Sequence, residues 1–92
     1  MAHRILVIDD EGPLRMLLTD LLEGEGYEVI TASNGVEGVR KTFANVPDAV
    51  LTDVMMPDMN GLAYLGRVRS QISASSLPVI VVSGLGMEEN IV

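Results

Sequence analysis

Among the side chains able to handle phosphate and hard cations, Asp9, Asp10, Asp53 and Ser83 stand out by position. Each follows a short apolar run. Ile5-Leu6-Val7-Ile8 breaks into Asp9-Asp10-Glu11, Ala49-Val50-Leu51-Thr52 into Asp53, and Val79-Ile80-Val81-Val82 into Ser83-Gly84. Runs of this length, rich in β-branched residues, read as strands buried on both faces. If those strands are parallel, all four side chains come to one rim of the sheet, where open α/β sheets bind ligands. Carboxylates gathered in a small cleft repel one another, so a cation is their natural partner. Together with water and a phosphate oxygen they make the octahedral oxygen set of Mg2+. Asp53 can then stay ionised, act as an oxygen nucleophile and form an aspartyl-phosphate, with the Ser83 hydroxyl offered to a phosphoryl oxygen.

Each of these residues also has a plainer role. Asp9 or Asp10 can cap the helix that follows, since Asp is a favoured N-cap residue. Asp53 can start the turn of Pro57, Asp58, Asn60 and Gly61, and Ser83 can be a loop residue. The plainer account must place acids at two strand ends and a hydroxyl at a third by coincidence, and their conjunction favours a site. Met55-Met56 and Leu62 read as core. His3 precedes the first strand, at the opposite edge of the sheet, and reads as surface; Glu23, Glu25, Glu88 and Glu89 read as exposed charge.

The elements that would position these groups alternate along the chain. Gly12 and Pro13 open a helix, with proline in the first turn where no donor is needed. Leu14, Leu17, Leu18, Leu21 and Leu22 form its apolar stripe, and Gly24 and Gly26 stop it. Tyr27 to Ala32 is a second strand, and Ser33-Asn34-Gly35 starts a second helix whose inner side is marked by Val36, Val39 and Phe43. After the third strand, Leu62, Leu65, Val68 and Ile72 recur at helical spacing, and a serine-rich connection leads through Pro78 into the fourth strand. Met87 to Val92 reads as the start of a fourth helix. The strict alternation implies an α/β fold: a parallel sheet with right-handed crossovers and helices on both faces.

Composition bounds the function. Ninety-two residues make a single domain, 1–92, and an apolar fraction of 48% with three aromatic residues gives an aliphatic core. The net charge of −7 argues against direct contact with nucleic acid. With no cysteine there are no disulfides, thiolate metal sites or cysteine nucleophiles. No run approaches a membrane span and the N-terminus shows no signal-peptide pattern, so the expected location is cytoplasmic.

In order and spacing, ILVIDDE, AVLTDVMMPDMNG and PVIVVSG resemble the receiver domain of two-component response regulators, and the resemblance covers the whole chain. It implies a flavodoxin-like (CheY-like) doubly wound parallel sheet with strand order 2-1-3-4, an order known from the family, for which such receivers are a standard example. It further implies that Asp53 is the phosphoacceptor, served by a histidine kinase or phosphotransfer protein. Asp9 and Asp10 would hold Mg2+, Asp10 directly and Asp9 through water, with the Met55 main-chain carbonyl as a further ligand. Ser83 would be the hydroxyl that turns toward the phosphoryl group. Such a domain is a switch and not an enzyme, beyond assisting its own phosphorylation and hydrolysis.

These 92 residues depart from the family at the C-terminus, where a fifth strand and helix, about 30 residues, have no counterpart. That unit carries a lysine which pairs with the phosphoryl group, and an aromatic switch residue. The one lysine here, Lys41 on the second helix, is not expected to reach the site. The fourth strand, Val79 to Val82, is then expected to be a bare edge and part of the leucine stripe to be exposed, favouring self-association through 79–82 or swapped elements. The alternative function is a receiver-like adaptor, acting by dimerisation or partner docking with little or no phosphorylation. A phosphohydrolase with an aspartate nucleophile would have a second aspartate where Met55 stands. A flavin-binding module would have a serine- and threonine-rich loop after the first strand.

Overall fold

The computed structural model describes residues 2–54, 56, 59–82 and 89–91, the last three as backbone. The elements are β1 (Arg4–Ile8), α1 (Gly12–Gly24), β2 (Glu28–Ala32), α2 (Gly35–Asn45), β3 (Ala49–Asp53), α3 (Gly61–Arg69), β4 (Val79–Val82) and β5 (Glu89–Ile91). The first four strands are parallel in the order 2-1-3-4, as expected. Ile8 stands level with Ala32 on one side and Thr52 on the other, and Asp53 with Val82, so the C-terminal ends line up along one rim.

Two expectations about the C-terminal stretch are corrected. Residues 89–91, expected to lie in a helix, form β5, which pairs antiparallel with β4 through Ile80–Ile91 and Val82–Glu89. The outer edge of β4 is therefore covered by its own chain. Backbone donors and acceptors left open along a β-branched strand are satisfied by the nearest segment able to pair with them. Self-association through a bare 79–82 edge loses its structural basis.

The core lies mainly on one face of the sheet. Leu6, Ile8, Ala32, Val50, Val79 and Val81 point there and meet Met56, Tyr64, Val68 and Leu77. The inner side of α2 is not the expected Val36–Val39–Phe43 row: Val36 and Phe43 are exposed, and Gly35, Gly38 and Thr42 are buried, with Val39 half-buried. Small residues let the helix sit close to the sheet, and a Cβ on Gly38 would lie 2.5 Å from Cδ1 of Ile8. In α3, Tyr64 and Val68 are buried whereas Leu62 is exposed, and Ile72 packs on the core from beyond the helix end. Arg69 secures that end by donating to the carbonyls of Ile72, Ser73 and Leu77.

Strand alternation sends Ile5 and Val7 to the opposite face, where α1 packs against β1 and β2. No residue of α1 is fully buried. Leu14, Leu17 and Leu21 are exposed, as the stripe's expected partial exposure requires, and Leu18 and Leu22 are half-buried.

Candidate functional site

Strand register places the acids. Asp9 continues the β1–β2 ladder one step past the strand, its amide donating to the Ala32 carbonyl at 3.1 Å. Asp53 is the last residue of β3, and the next amide, Val54, donates to the Val82 carbonyl at 3.2 Å. Asp9, Asp10 and Asp53 each bring a carboxylate oxygen to within 4.8 Å of the others, Asp9 buried, Asp53 half-buried and Asp10 exposed. The sequence expectation that these three meet at one rim is met. Ser83 and Met55 lie outside the described residues.

Burial pushes the Asp9 carboxyl above the ordinary aspartate range; a hydrogen bond from the Glu11 amide opposes this, and the negative charges of Asp53, Asp10 and Glu11 reinforce it. A buried acid facing like charges is a destabilised anion, and a divalent cation among hard oxygen donors relieves it. The donor set therefore fits Mg2+. Exposure is graded across the cluster, from closed at Asp9 through half-buried Asp53 to open at Asp10.

Sequence reasoning missed the groups that hold the acids in place. Arg15 reaches back from α1 and donates through Nη1 to the Asp9 carbonyl at 2.7 Å, tying the helix to the acidic turn. The Thr52 hydroxyl, 1% exposed, donates to the Asp53 carbonyl at 3.1 Å. Gly61 sits directly on that carbonyl: a Cβ there would be 2.3 Å from the Asp53 oxygen, and its amide donates to Val54 at 2.9 Å. Gly35 abuts the other end of the loop, where a Cβ would lie 2.4 Å from the Met59 carbonyl oxygen.

A signal for both glycines was present in the sequence. Asn34 and Asn60 already cap their helices, each side chain accepting a backbone amide at 2.8 Å. A glycine immediately after a good cap weakens the helix without aiding the turn, which points to close packing. Lys41 stays away from the acids, as expected, its Nζ donating to the Thr31 carbonyl at 2.6 Å. His3 is exposed at the other end of the sheet, 3.6 Å from the carboxylate of Asp48.

Comparison with known proteins points the same way. The family model described as the response regulator receiver domain matches residues 5–92. The chemotaxis protein CheY of Bacillus subtilis is 38% identical over 93 residues, which span 100% of this chain and 76% of that protein. A protein-glutamate methylesterase/protein-glutamine glutaminase of Anaeromyxobacter dehalogenans is 44% identical over 85 residues, 92% of this chain but 24% of the longer protein. Among solved structures, the response regulator TrrA of Thermotoga maritima in complex with Mg2+-BeF superposes with a TM-score of 0.83 at 40% identity, covering 90% of this chain and 70% of that one.

Proposed function

The chain belongs to the response regulator receiver domain family, and from that membership we propose that it accepts a phosphoryl group on Asp53 from a histidine kinase or phosphotransfer protein, with Mg2+ at Asp9, Asp10 and Asp53. A receiver domain is a signalling switch, and the methylesterase relative is matched over a quarter of its length only, so its named activity says nothing of this chain.

The observation that carries the proposal is the convergence of three carboxylates from two strand ends within 4.8 Å, with Asp53 half-buried between the buried Asp9 and the exposed Asp10. When bound, Mg2+ supplies positive charge against the incoming phosphoryl oxygens. A carboxylate oxygen of Asp53 attacks phosphorus in line with the bond to the donor's imidazole nitrogen. The O–P bond forms as the N–P bond breaks, and its electron pair leaves with the imidazole. Thr52, Gly61 and Arg15 fix the backbone on which the acids stand. The Met55 carbonyl is assigned as a metal ligand, and the Ser83 hydroxyl as the donor to a phosphoryl oxygen.

With a net charge of −7, nucleic acid is not a direct partner in this reading. No helix among the described residues is long and apolar enough to cross a membrane, and cytoplasmic action is part of the proposal. A second reading, the receiver-like adaptor, is favoured by one observation, the exposed Leu14, Leu17 and Leu21 of α1.

Intact mass after incubation with Mg2+ and a small acyl phosphate separates the two readings. A gain of one phosphoryl group, absent from Asp53→Ala, is the expected result. A folded protein that gains none overturns the phosphoacceptor role and leaves the adaptor.

A further inference from the structure

Two hydroxyls are fully buried between α2 and α3, outside the acidic cluster. Thr42 on α2 and Tyr64 on α3 are both 0% exposed, with Oγ1 and the phenol oxygen 2.7 Å apart. The Thr42 hydroxyl also donates to the Gly38 carbonyl at 2.7 Å. A threonine has one hydroxyl proton, so the phenol must donate to Thr42. The result is a directed relay from Tyr64 through Thr42 to the Gly38 carbonyl, with each hydroxyl proton used. An apolar pair of similar volume would fill this space without the need for partners. A buried hydrogen bond adds direction, because it holds only at one separation and one rotation of the two helices.

The helix pair so joined abuts the segments that carry the acidic site at three points: β1, the end of β3 and the loop that follows it. Gly38, whose carbonyl ends the relay, lies against Ile8, the residue before Asp9. Gly35 at the start of α2 lies against the Met59 carbonyl. Gly61 at the start of α3 lies against the Asp53 carbonyl, close enough that a Cβ would stand 2.3 Å from its oxygen. The contact of Gly61 is with the backbone of Asp53 itself, which cannot yield without moving that carboxylate, whereas at Gly38 the Ile8 side-chain tip can give. A shift of the joined helices therefore reaches the site chiefly through Gly61.

We infer that Thr42 and Tyr64 are positioning residues for the cation site: by locking α2 to α3, their hydrogen bond sets the separation of the Asp9 and Asp53 carboxylates. The inference rests on reading the acidic cluster as a Mg2+ site. Neither residue touches the cation, and both act through the glycine contacts.

The test is Mg2+ titration by calorimetry of the native protein, Tyr64→Phe, Thr42→Val, the double variant and Thr42→Ser, each below its melting temperature. Tyr64→Phe and Thr42→Val should each weaken Mg2+ binding by about tenfold, the low end for partners that orient metal ligands. The double variant should lose no more than the worse single variant, and Thr42→Ser should retain native affinity. Variants that melt lower yet bind Mg2+ as the native protein does would overturn the inference, leaving a merely structural bond. Amide chemical shifts of Asp9, Asp53 and Gly61 in metal-free protein give a second readout. A native protein that binds no Mg2+ would overturn the functional reading. In that event, moved shifts in Tyr64→Phe would still support the lock, and unmoved shifts would end it.

Discussion

Gly61 and Gly38 differ in what stands where a side chain would go, and the difference predicts unequal costs. At Gly61 a Cβ meets a backbone oxygen, 2.3 Å away on Asp53; at Gly38 it meets the tip of the Ile8 side chain at 2.5 Å. A side-chain tip can rotate aside, whereas the carbonyl cannot move without taking Asp53 with it. Gly61→Ala should destabilise by about 3 kcal/mol and Gly38→Ala by about 1 kcal/mol, the two ends of the overpacking range. Urea denaturation measures both, and equal losses would contradict the argument. Glu37 carries a pH prediction. Its carboxylate accepts from the Ser33 amide at 2.6 Å, and this bond, more than the nearby Lys41 and Arg40, lowers its proton affinity in the fold. The folded value lies below the unfolded one of 4.5. The stabilisation is therefore complete above 4.5 and is lost as pH falls through the folded value. Glu37→Gln should flatten that part of the acid limb of a stability–pH curve, and an unchanged limb would refute the assignment.

At the scale of elements, the four parallel strands and three helices were legible because each obeys a local rule: β-branched runs, a leucine row at helical period, Asn-Gly before two helices. Which side of α2 faces inward was not legible. Val36 and Phe43 carry the apolar signal, yet the helix turns Gly35, Gly38 and Thr42 to the sheet, since only small residues permit the close approach. Tyr64 was overlooked for the same reason. The row drawn through Leu62 passes it by, yet it shares the buried Gly61–Tyr64–Val68 face, where Thr42, distant in sequence, satisfies its hydroxyl. At the carboxylates, by contrast, strand ends alone determined the meeting of Asp9, Asp10 and Asp53. The caps follow local chemistry too. Asn34→Ala removes the acceptor of the Glu37 amide and should cost about 1 kcal/mol. Thermal denaturation checks this, and a change within error would show that water replaces the cap.

The whole molecule is asymmetric about its sheet. The face under α2 and α3 is dry, with Val50, Thr52, Val79 and Val81 buried, while their neighbours Leu51, Ile80 and Val82 on the α1 side are half-buried. Among the described residues α1 packs on β1 and β2 and leaves Leu51, Ile80 and Val82 half-buried. The side of α2 and α3, whose helix starts abut Asp53 and Met59, holds most of the fully buried core and hence most of the stabilising burial. The acidic rim works against that stability when no cation is present. Asp9 is a buried acid among like charges, and folding raises its proton affinity above the ordinary value of 3.8. In metal-free protein the contribution of Asp9 is thus most favourable below 3.8 and is lost as pH rises through the folded value. Mg2+ binds the ionised form, so its effect runs the other way and grows over the same interval. At a free concentration a hundred times its dissociation constant it should add about 2.7 kcal/mol of stability, most fully at neutral pH. Asp9→Asn should raise the stability of metal-free protein at neutral pH, because the buried charge is gone, and should shrink the response to Mg2+. Melting curves with Mg2+ and with a chelator, from acid to neutral pH, measure all three effects. A metal response that is the same at every pH, or undiminished in Asp9→Asn, would separate Asp9 from the cation and leave its burial without a functional cause.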